Sequence, residues 1–293
     1  MGKEALLKVV FQAIPTFAMI CFRLPMGLCQ DIERLIRKFW WGQRRDRRKI
    51  HWKKWDVLCQ PKAEGALGFK DLCKFNEAML AKQVWRLIQD TDPLFYKVFT
   101  SKYFPNCSIF EAASSSGSWR VGDGKTIRIF QDAWLLNSID GRIISSPVTL
   151  APKVTVDTII DPHIDWWNTY LIELCFYLPE AQYIKSLPLC STPQSDKLIW
   201  PNKKLGYYSV KSGYKALTKL SLLDSVRTEQ SEAQKTFWRS IWKLKVSGTI
   251  KHFMWNSCTN SLPTKENLLK HTILQESVCQ IYDKELESVL HAL

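Results

Sequence analysis

Seven basic side chains crowd one short stretch, GQRRDRRKIHWKKW: Arg44, Arg45, Arg47, Arg48, Lys49, Lys53 and Lys54. Guanidinium and ammonium groups at this density neutralise phosphates, and Trp52 and Trp55 interleave with them where bases could stack. That combination is the chemistry of a groove for RNA or single-stranded DNA. The competing account is a solvated basic loop whose tryptophans cap a helical core. A second cluster, Lys235, Arg239, Lys243, Lys245 and Lys251, accompanies Trp238, Trp242 and Trp255. Trp238 and Trp242 are four apart and share one helical face, which points to core packing more than to base stacking.

Other groups offer less chemistry. Val121–Lys125 (VGDGK) looks like a phosphate-binding turn but lacks the spacing and the strand–turn–helix context of a P-loop, so a hairpin turn is the better account. His51, His163, His252 and His271 stand at no spacing from a cysteine or carboxylate that builds a nucleophilic or metal site. Cys21, Cys29, Cys59 and Cys73 are too irregularly separated to form a finger, and buried thiols explain them.

These groups belong to a chain of 293 residues, 46% hydrophobic and 24% charged, a globular composition long enough for one large or two ordinary domains. Thirteen tryptophans can fill several cores or leave stacking surfaces. The formal charge of +13 is uneven: residues 1–100 carry +9, 101–200 carry −2 and 201–293 carry +6. Basic ends attract polyanions, whether nucleic acid or an anionic surface. Nine scattered cysteines suggest free thiols in a reducing intracellular compartment, nucleus or cytoplasm before an organelle. The apolar stretch Ala5–Phe22 is interrupted by Lys8, Gln12 and Pro15, too often for a membrane span, and no cleavage site of a signal peptide follows it. A soluble protein is expected, with no membrane partner.

Helical spacing appears at Leu6, Val9, Val10 and Ala13, and again over Cys29–Trp41, where Ile32, Leu35, Ile36, Phe39 and Trp40 share a face. Asp71 is placed to cap a helix through Leu72, Phe75, Met79 and Trp85, and Asp92-Pro93 to start another. Residues 111–118 (EAASSSGS) read as a linker. WRVGDGKTIRIFQDAWL predicts a hairpin about Gly-Asp-Gly, and DKLIWPNKKLGYYSVKSGYKAL a second about Asn202–Gly206 that runs into a helix from Ser212. Short helices are expected around Trp166–Cys175 and Glu180–Ser186. After a polar linker at 224–234, two helices and a third from Pro263-Thr264 follow.

Taken together and in order, these blocks resemble a known family. KEALLKVVFQAIPTFAMICFRLP, FWWGQRRDRRKIHWKKWDVLCQPKAEGALGFKDL, FNEAMLAKQVWRLI and WRVGDGKTIRIFQDAWL resemble the segment after the polymerase core of plant LINE-type (non-LTR) retrotransposon reverse transcriptases. Asp196, Trp200, Gly206 and Tyr208–Leu217, followed by FWRSIWKLKV and KHFMWNSCTNSLPTKENLL, resemble the reverse-transcriptase zinc-binding domain of those elements. The resemblance covers nearly the whole chain, apart from weak stretches near 137–190 and 220–234.

It implies a mainly α fold with two small β hairpins, divided into a basic helical region at 1–110, a linker, hairpin and irregular connection at 111–190, and a truncated zinc-binding-type domain at 191–293. It also implies departures. The polymerase palm of the family carries paired aspartates that hold two metals, and no Asp-Asp pair occurs here. The catalytic domain would lie before Met1, and the ribonuclease H domain is missing as well. Ser118 joins Trp119 directly where the family places a further helix. Of the zinc ligands, Cys279 and His291 match two positions, Tyr282 stands where a second cysteine would be, and the last would lie past Leu293. Closed structural zinc needs four N/S ligands, so zinc, expected in the intact family, is not expected here, and no other cofactor is.

The expectation is a non-enzymatic reverse-transcriptase fragment with residual RNA or single-stranded DNA binding through the Arg44–Lys54 run, and with no small-molecule substrate. Alternatives are a decayed copy without selected function, or a domesticated module that binds a protein through its tryptophan-rich helices. The residues do not specify an oligomeric state.

Overall fold

The computed structural model describes residues 2–42, 49–89, 94–103, 118–135, 141–146, 150–164, 166–189, 194–203, 205–223, 231–279 and 286–293. Among the described residues the chain is mainly helical, with two small antiparallel two-stranded sheets. It forms two compact units: residues 1–80 with 217–293, and residues 81–216. This grouping differs from a sequential division at 110 and 190, because the two ends of the chain fold together.

In the first unit α1 (Gly2–Leu6) passes into a π turn over Leu7–Phe11, where the Gln12 N–H reaches back to Leu7 O, 2.9 Å away. Pro15, with no N–H to donate, ends that turn, and α2 (Thr16–Cys21) begins after it. Pro25 opens α3 (Met26–Trp40), whose Cys29 and Ile36 face inward, seven residues apart on one stripe. The short α4 (Trp55–Cys59) and a 3-10 turn at Lys62–Glu64 lead to α5 (Leu72–Gln89). Asp71 caps α5 as its position predicts, its Oδ1 accepting the Lys74 N–H at 3.0 Å. From the far end of the chain come α10 (Glu232–Lys243), α11 (Gly248–Cys258), α12 (Lys265–Lys270) and α13 (Val289–Ala292). Each starts on a serine or threonine (Ser231, Ser247, Thr264, Ser288) whose hydroxyl accepts an N–H of the first turn. One core gathers Leu7, Ile36, Trp55, Leu58, Leu67, Phe69 and Trp255. A smaller one holds Met19, Cys29 and Leu72.

The second unit contains the second half of α5, α6 (Leu94–Tyr103), α7 (Thr169–Cys175), α8 (Leu178–Ser186) and the first half of α9 (Val210–Leu223). Its core is built on Ile127, Ile129, Trp134, Val156, Trp167, Ile172 and Ile184. The indoles of Trp134 and Trp167 stack at 6.2 Å. Both bond to carbonyls, Trp134 to Ile129 O at 3.0 Å and Trp167 to Leu187 O at 2.8 Å, so neither buries an orphaned N–H.

The strand pairing differs from the two expected hairpins. The strand β1 (Ser118–Arg120) does not fold back across Gly-Asp-Gly. It pairs with β4 (Lys197–Ile199), in the register Trp119 opposite Leu198. The cause is Asp196. Its Oδ1 accepts the N–H groups of Gly122 and Gly124 at 2.8 and 2.9 Å, and its Oδ2 accepts the Thr126 N–H and hydroxyl at 2.9 and 2.7 Å. The turn's amides are therefore taken by a carboxylate from a distant segment, not by a neighbouring strand. The Asn202–Gly206 turn does form, closed by Trp200 N–H to Gly206 O at 2.7 Å, but residues 207–209 add no strand. The second sheet joins β2 (Ile160–Asp161) to β3 (Trp166–Trp167), where the sequence predicts only a helix from Trp166.

Candidate nucleic-acid interface

Of the seven basic residues singled out in the sequence, Lys49, Lys53 and Lys54 belong to the described structure, whereas Arg44, Arg45, Arg47 and Arg48 lie outside the described residues. Lys49 and Lys54 are exposed, and Lys53 is half-buried, with burial holding its ammonium below the ordinary lysine range. The two tryptophans divide. Trp55 is 5% exposed and stacks on Phe69 at 5.4 Å and 11°, so it is core and not a platform for bases. Trp52 remains half-buried, its ring edge-on to His271 at 5.2 Å.

That last contact joins the two ends of the chain. His271 follows α12, and both it and Lys270 are exposed. On the other side of the segment, His51 stacks on Trp41 at 6.3 Å and 24°. Burial depresses the His51 imidazole, and the charges of Arg37 and Lys38 at the end of α3 depress it further. Trp52 meets His271, next to Lys270, and its neighbour His51 feels the charges of Arg37 and Lys38, so basic groups from both ends of the chain approach one half-buried indole. Groups of this kind can contact phosphates. Composition supports it: residues 1–80 and 217–293 hold 26 Lys/Arg against 16 Asp/Glu, a balance of +10, where residues 81–216 carry +3. Sequence reasoning missed Arg37, Lys38 and the histidines here, since helical residues on the polar face of α3 read as ordinary solvation and the fold alone sets His271 beside Trp52.

The second basic cluster is largely spent on local partners. Lys235 and Arg239 reach Glu232 at 2.9 and 3.8 Å, and Lys251 donates to Trp242 O at 3.0 Å. Lys243 and Lys245 are exposed. Trp238 and Trp242 pack on the core that contains Trp255, as their spacing predicts. Glu4 was not foreseen either. Burial alone would raise its carboxyl, but hydrogen bonds from His252 (3.0 Å), Lys62 (2.7 Å) and Lys8 (2.7 Å) outweigh that and hold it far below the usual carboxylate range.

Of the two zinc-type residues, Cys279 is buried beside the Val278–Leu286 bridge, and His291 lies in α13 with its backbone N–H on the Ser288 hydroxyl. Tyr282 lies outside the described residues. Among the described residues, no three His, Cys, Asp or Glu side chains converge as metal ligands. The described residues do not by themselves supply the four ligands of a closed zinc. Nor, among the described residues, is any helix long and apolar enough to cross a membrane.

Comparison with known proteins places this arrangement. Residues 208–293 match the family described as zinc-binding in reverse transcriptase. An Arabidopsis thaliana protein with a ribonuclease H name is 26% identical over the whole chain, which spans about 50% of that relative's length. An uncharacterized mitochondrial protein of Arabidopsis thaliana is 35% identical over 145 residues, which take in 43% of this chain and 94% of that protein. No solved structure matches. With near-complete coverage of one relative, full-length alignment to another and the zinc-binding family over its final part, the chain belongs to the plant retrotransposon-derived reverse transcriptases, as a region of that protein that includes the zinc-binding domain.

Proposed function

We propose that this region binds RNA or single-stranded DNA, without catalysis, through the basic face of the first unit. The observation that carries the reading is the Trp52–His271 contact, which sets the Lys49–Lys54 segment beside Lys270 in a unit with a balance of +10. Arg44, Arg45, Arg47 and Arg48 would add their charge to that binding. Polyanion binding of this kind depends on phosphate neutralisation and weakens steeply with salt. A non-enzymatic role is supported by the sequence, which has no Asp-Asp pair to hold polymerase metals. Neither zinc nor a small-molecule substrate enters the proposal. The thiols of Cys29, Cys59 and Cys73, all pushed up by burial, suit a reducing compartment, nucleus or cytoplasm.

Filter binding of the chain to single-stranded RNA and DNA across a salt series tests this. We expect affinity that falls linearly with salt on logarithmic axes. Replacing Lys49, Lys53 and Lys54 by Gln should reduce the slope by about 2, at roughly 0.7 for each phosphate of a single strand left without its lysine. No measurable binding at low salt would reject the reading and leave a decayed copy without selected function. A stable complex with a protein at high salt would favour an interaction module instead.

A further inference from the structure

Three tryptophans in the zinc-binding-family stretch touch residues of the first eighty. The Trp255 indole N–H donates to Gly65 O at 2.8 Å, across 190 residues of sequence. Gly65 has φ +79°, and a Cβ there would sit 2.6 Å from the Trp238 ring. Only glycine permits both that backbone and that approach. The Lys62 ammonium lies 4.2 Å above the Trp242 ring and 2.7 Å from Glu4 Oε1. His252 of α11 meets the other Glu4 oxygen at 3.0 Å and packs edge-on against Trp40 and Trp242.

Within α10 and α11 Phe237, Ile250 and Phe253 are each 49% exposed, so the two helices do not enclose these rings by themselves. Their buried side chains are Ile241 and Trp255, and the core that holds Trp255 is otherwise made of Leu7, Ile36, Trp55, Leu58, Leu67 and Phe69, all from before residue 70. Two helices of 12 and 11 residues are too short to persist in water without a packed face.

We propose that the Trp238–Trp242–Trp255 face is a docking surface whose occupant is this chain's own turn from Pro61 to Phe69 together with the N-terminal helix, so that the zinc-binding-family region takes its fold only with that segment seated. The Gly65 carbonyl and the Glu4 carboxylate are the polar anchors, and Gly65 itself is the shape that admits the indole. The dependence is one-sided: the buried partners of Trp255 in that core all come from before residue 70, whereas Phe69 is also covered by Trp55 and Trp40.

Hydrogen exchange followed by mass spectrometry on the full chain tests the proposal. In Gly65→Val the new side chain meets the Trp238 ring. Amides of 232–258 should then exchange at least tenfold faster, together with those of 2–11 and 55–69, while 118–135 and 166–187 keep their protection. Retained protection across 232–258 while 55–69 exchanges freely would overturn the idea. Should Gly65→Val also unprotect 118–187, the milder Glu4→Gln decides: a joint rise of several-fold in both stretches supports docking, and a rise confined to 2–11 and 55–69 refutes it. Zinc and nucleic acid are absent from this measurement, so its outcome is separate from that of the binding assay.

Discussion

Removing the Asp196 carboxylate should release the loop from Gly122 to Thr126 and destabilise the second unit. Four donors converge on its two oxygens at 2.7–2.9 Å. A hydrogen bond to a charged group contributes roughly 1.5–3 kcal/mol net, and a solvent-exposed one less. The two glycine amides are partly buried, while the Thr126 pair is exposed and can return to water. Weighting them so gives a loss of about 3–4 kcal/mol for Asp196→Ala. Asp196→Asn is the sharper test. An amide keeps one acceptor for Gly122 and Gly124 but turns an NH2 toward the Thr126 donors, so it should cost about 2 kcal/mol. Thr126→Val removes the hydroxyl donor and should cost about 1 kcal/mol alone, but less in the Asn background, since the partners are already separated. Urea unfolding followed by fluorescence reads this, because Trp134 and Trp167 sit buried in the same core. If Asp196→Asn unfolds at the wild-type midpoint with an unchanged slope, the carboxylate does not hold the loop and the account of the strand pairing is wrong.

The other predictions concern the first unit. Because the Glu4 pKa is depressed in the folded chain from an ordinary value of 4.5, its contribution to stability is present above that value and lost as pH falls below it. An acid titration of Tm should therefore be flatter on its acid limb for Glu4→Gln than for wild type, and identical limbs would contradict the Glu4 assignment. Trp55→Ala should cost about 3–5 kcal/mol by emptying a core site, whereas Trp52→Ala should leave Tm within a few degrees and weaken RNA binding about tenfold, in the range of one base stack. The reverse ranking in paired melting and binding measurements would exchange their roles. Added zinc should leave Tm unchanged, since the described residues bring no three metal ligands together; a gain of several degrees would show ligands supplied from elsewhere in the chain.

What was legible in the sequence is what depends on neighbours along the chain. The spacing of Ile32, Ile36, Phe39 and Trp40 gives the inward stripe of α3, although Leu35, read onto the same face, is exposed, and Asp71 caps α5 three residues from the amide it accepts. The order of family blocks, which points to a reverse transcriptase, is also a linear property. Pairings across long separations were not legible. A three-residue strand has almost no sequence signature, so nothing in Ser118–Arg120 points to Lys197–Ile199, and local turn chemistry around Gly122 and Gly124 suggested a hairpin instead. Asp196 stood in the family motif with no role, because its four donors come from 70 to 74 residues away.

The candidate site shows the same division at the level of single residues. Trp52 and Trp55 look alike in sequence, each next to one lysine of the pair between them, and the ring of Phe69 beneath Trp55 separates core from surface. Likewise the charge profile of the sequence placed positive balance at the two ends but could not say that the ends meet. Once they fold into one unit the two excesses reinforce each other. Lysines near residue 50 and residue 270 then share a counterion atmosphere, because Trp52 and His271 touch within a Debye length of both. The binding face we propose would thus be a consequence of chain closure, and a substitution that loosens the Gly65–Trp255 hydrogen bond should weaken polyanion binding without removing a single charge.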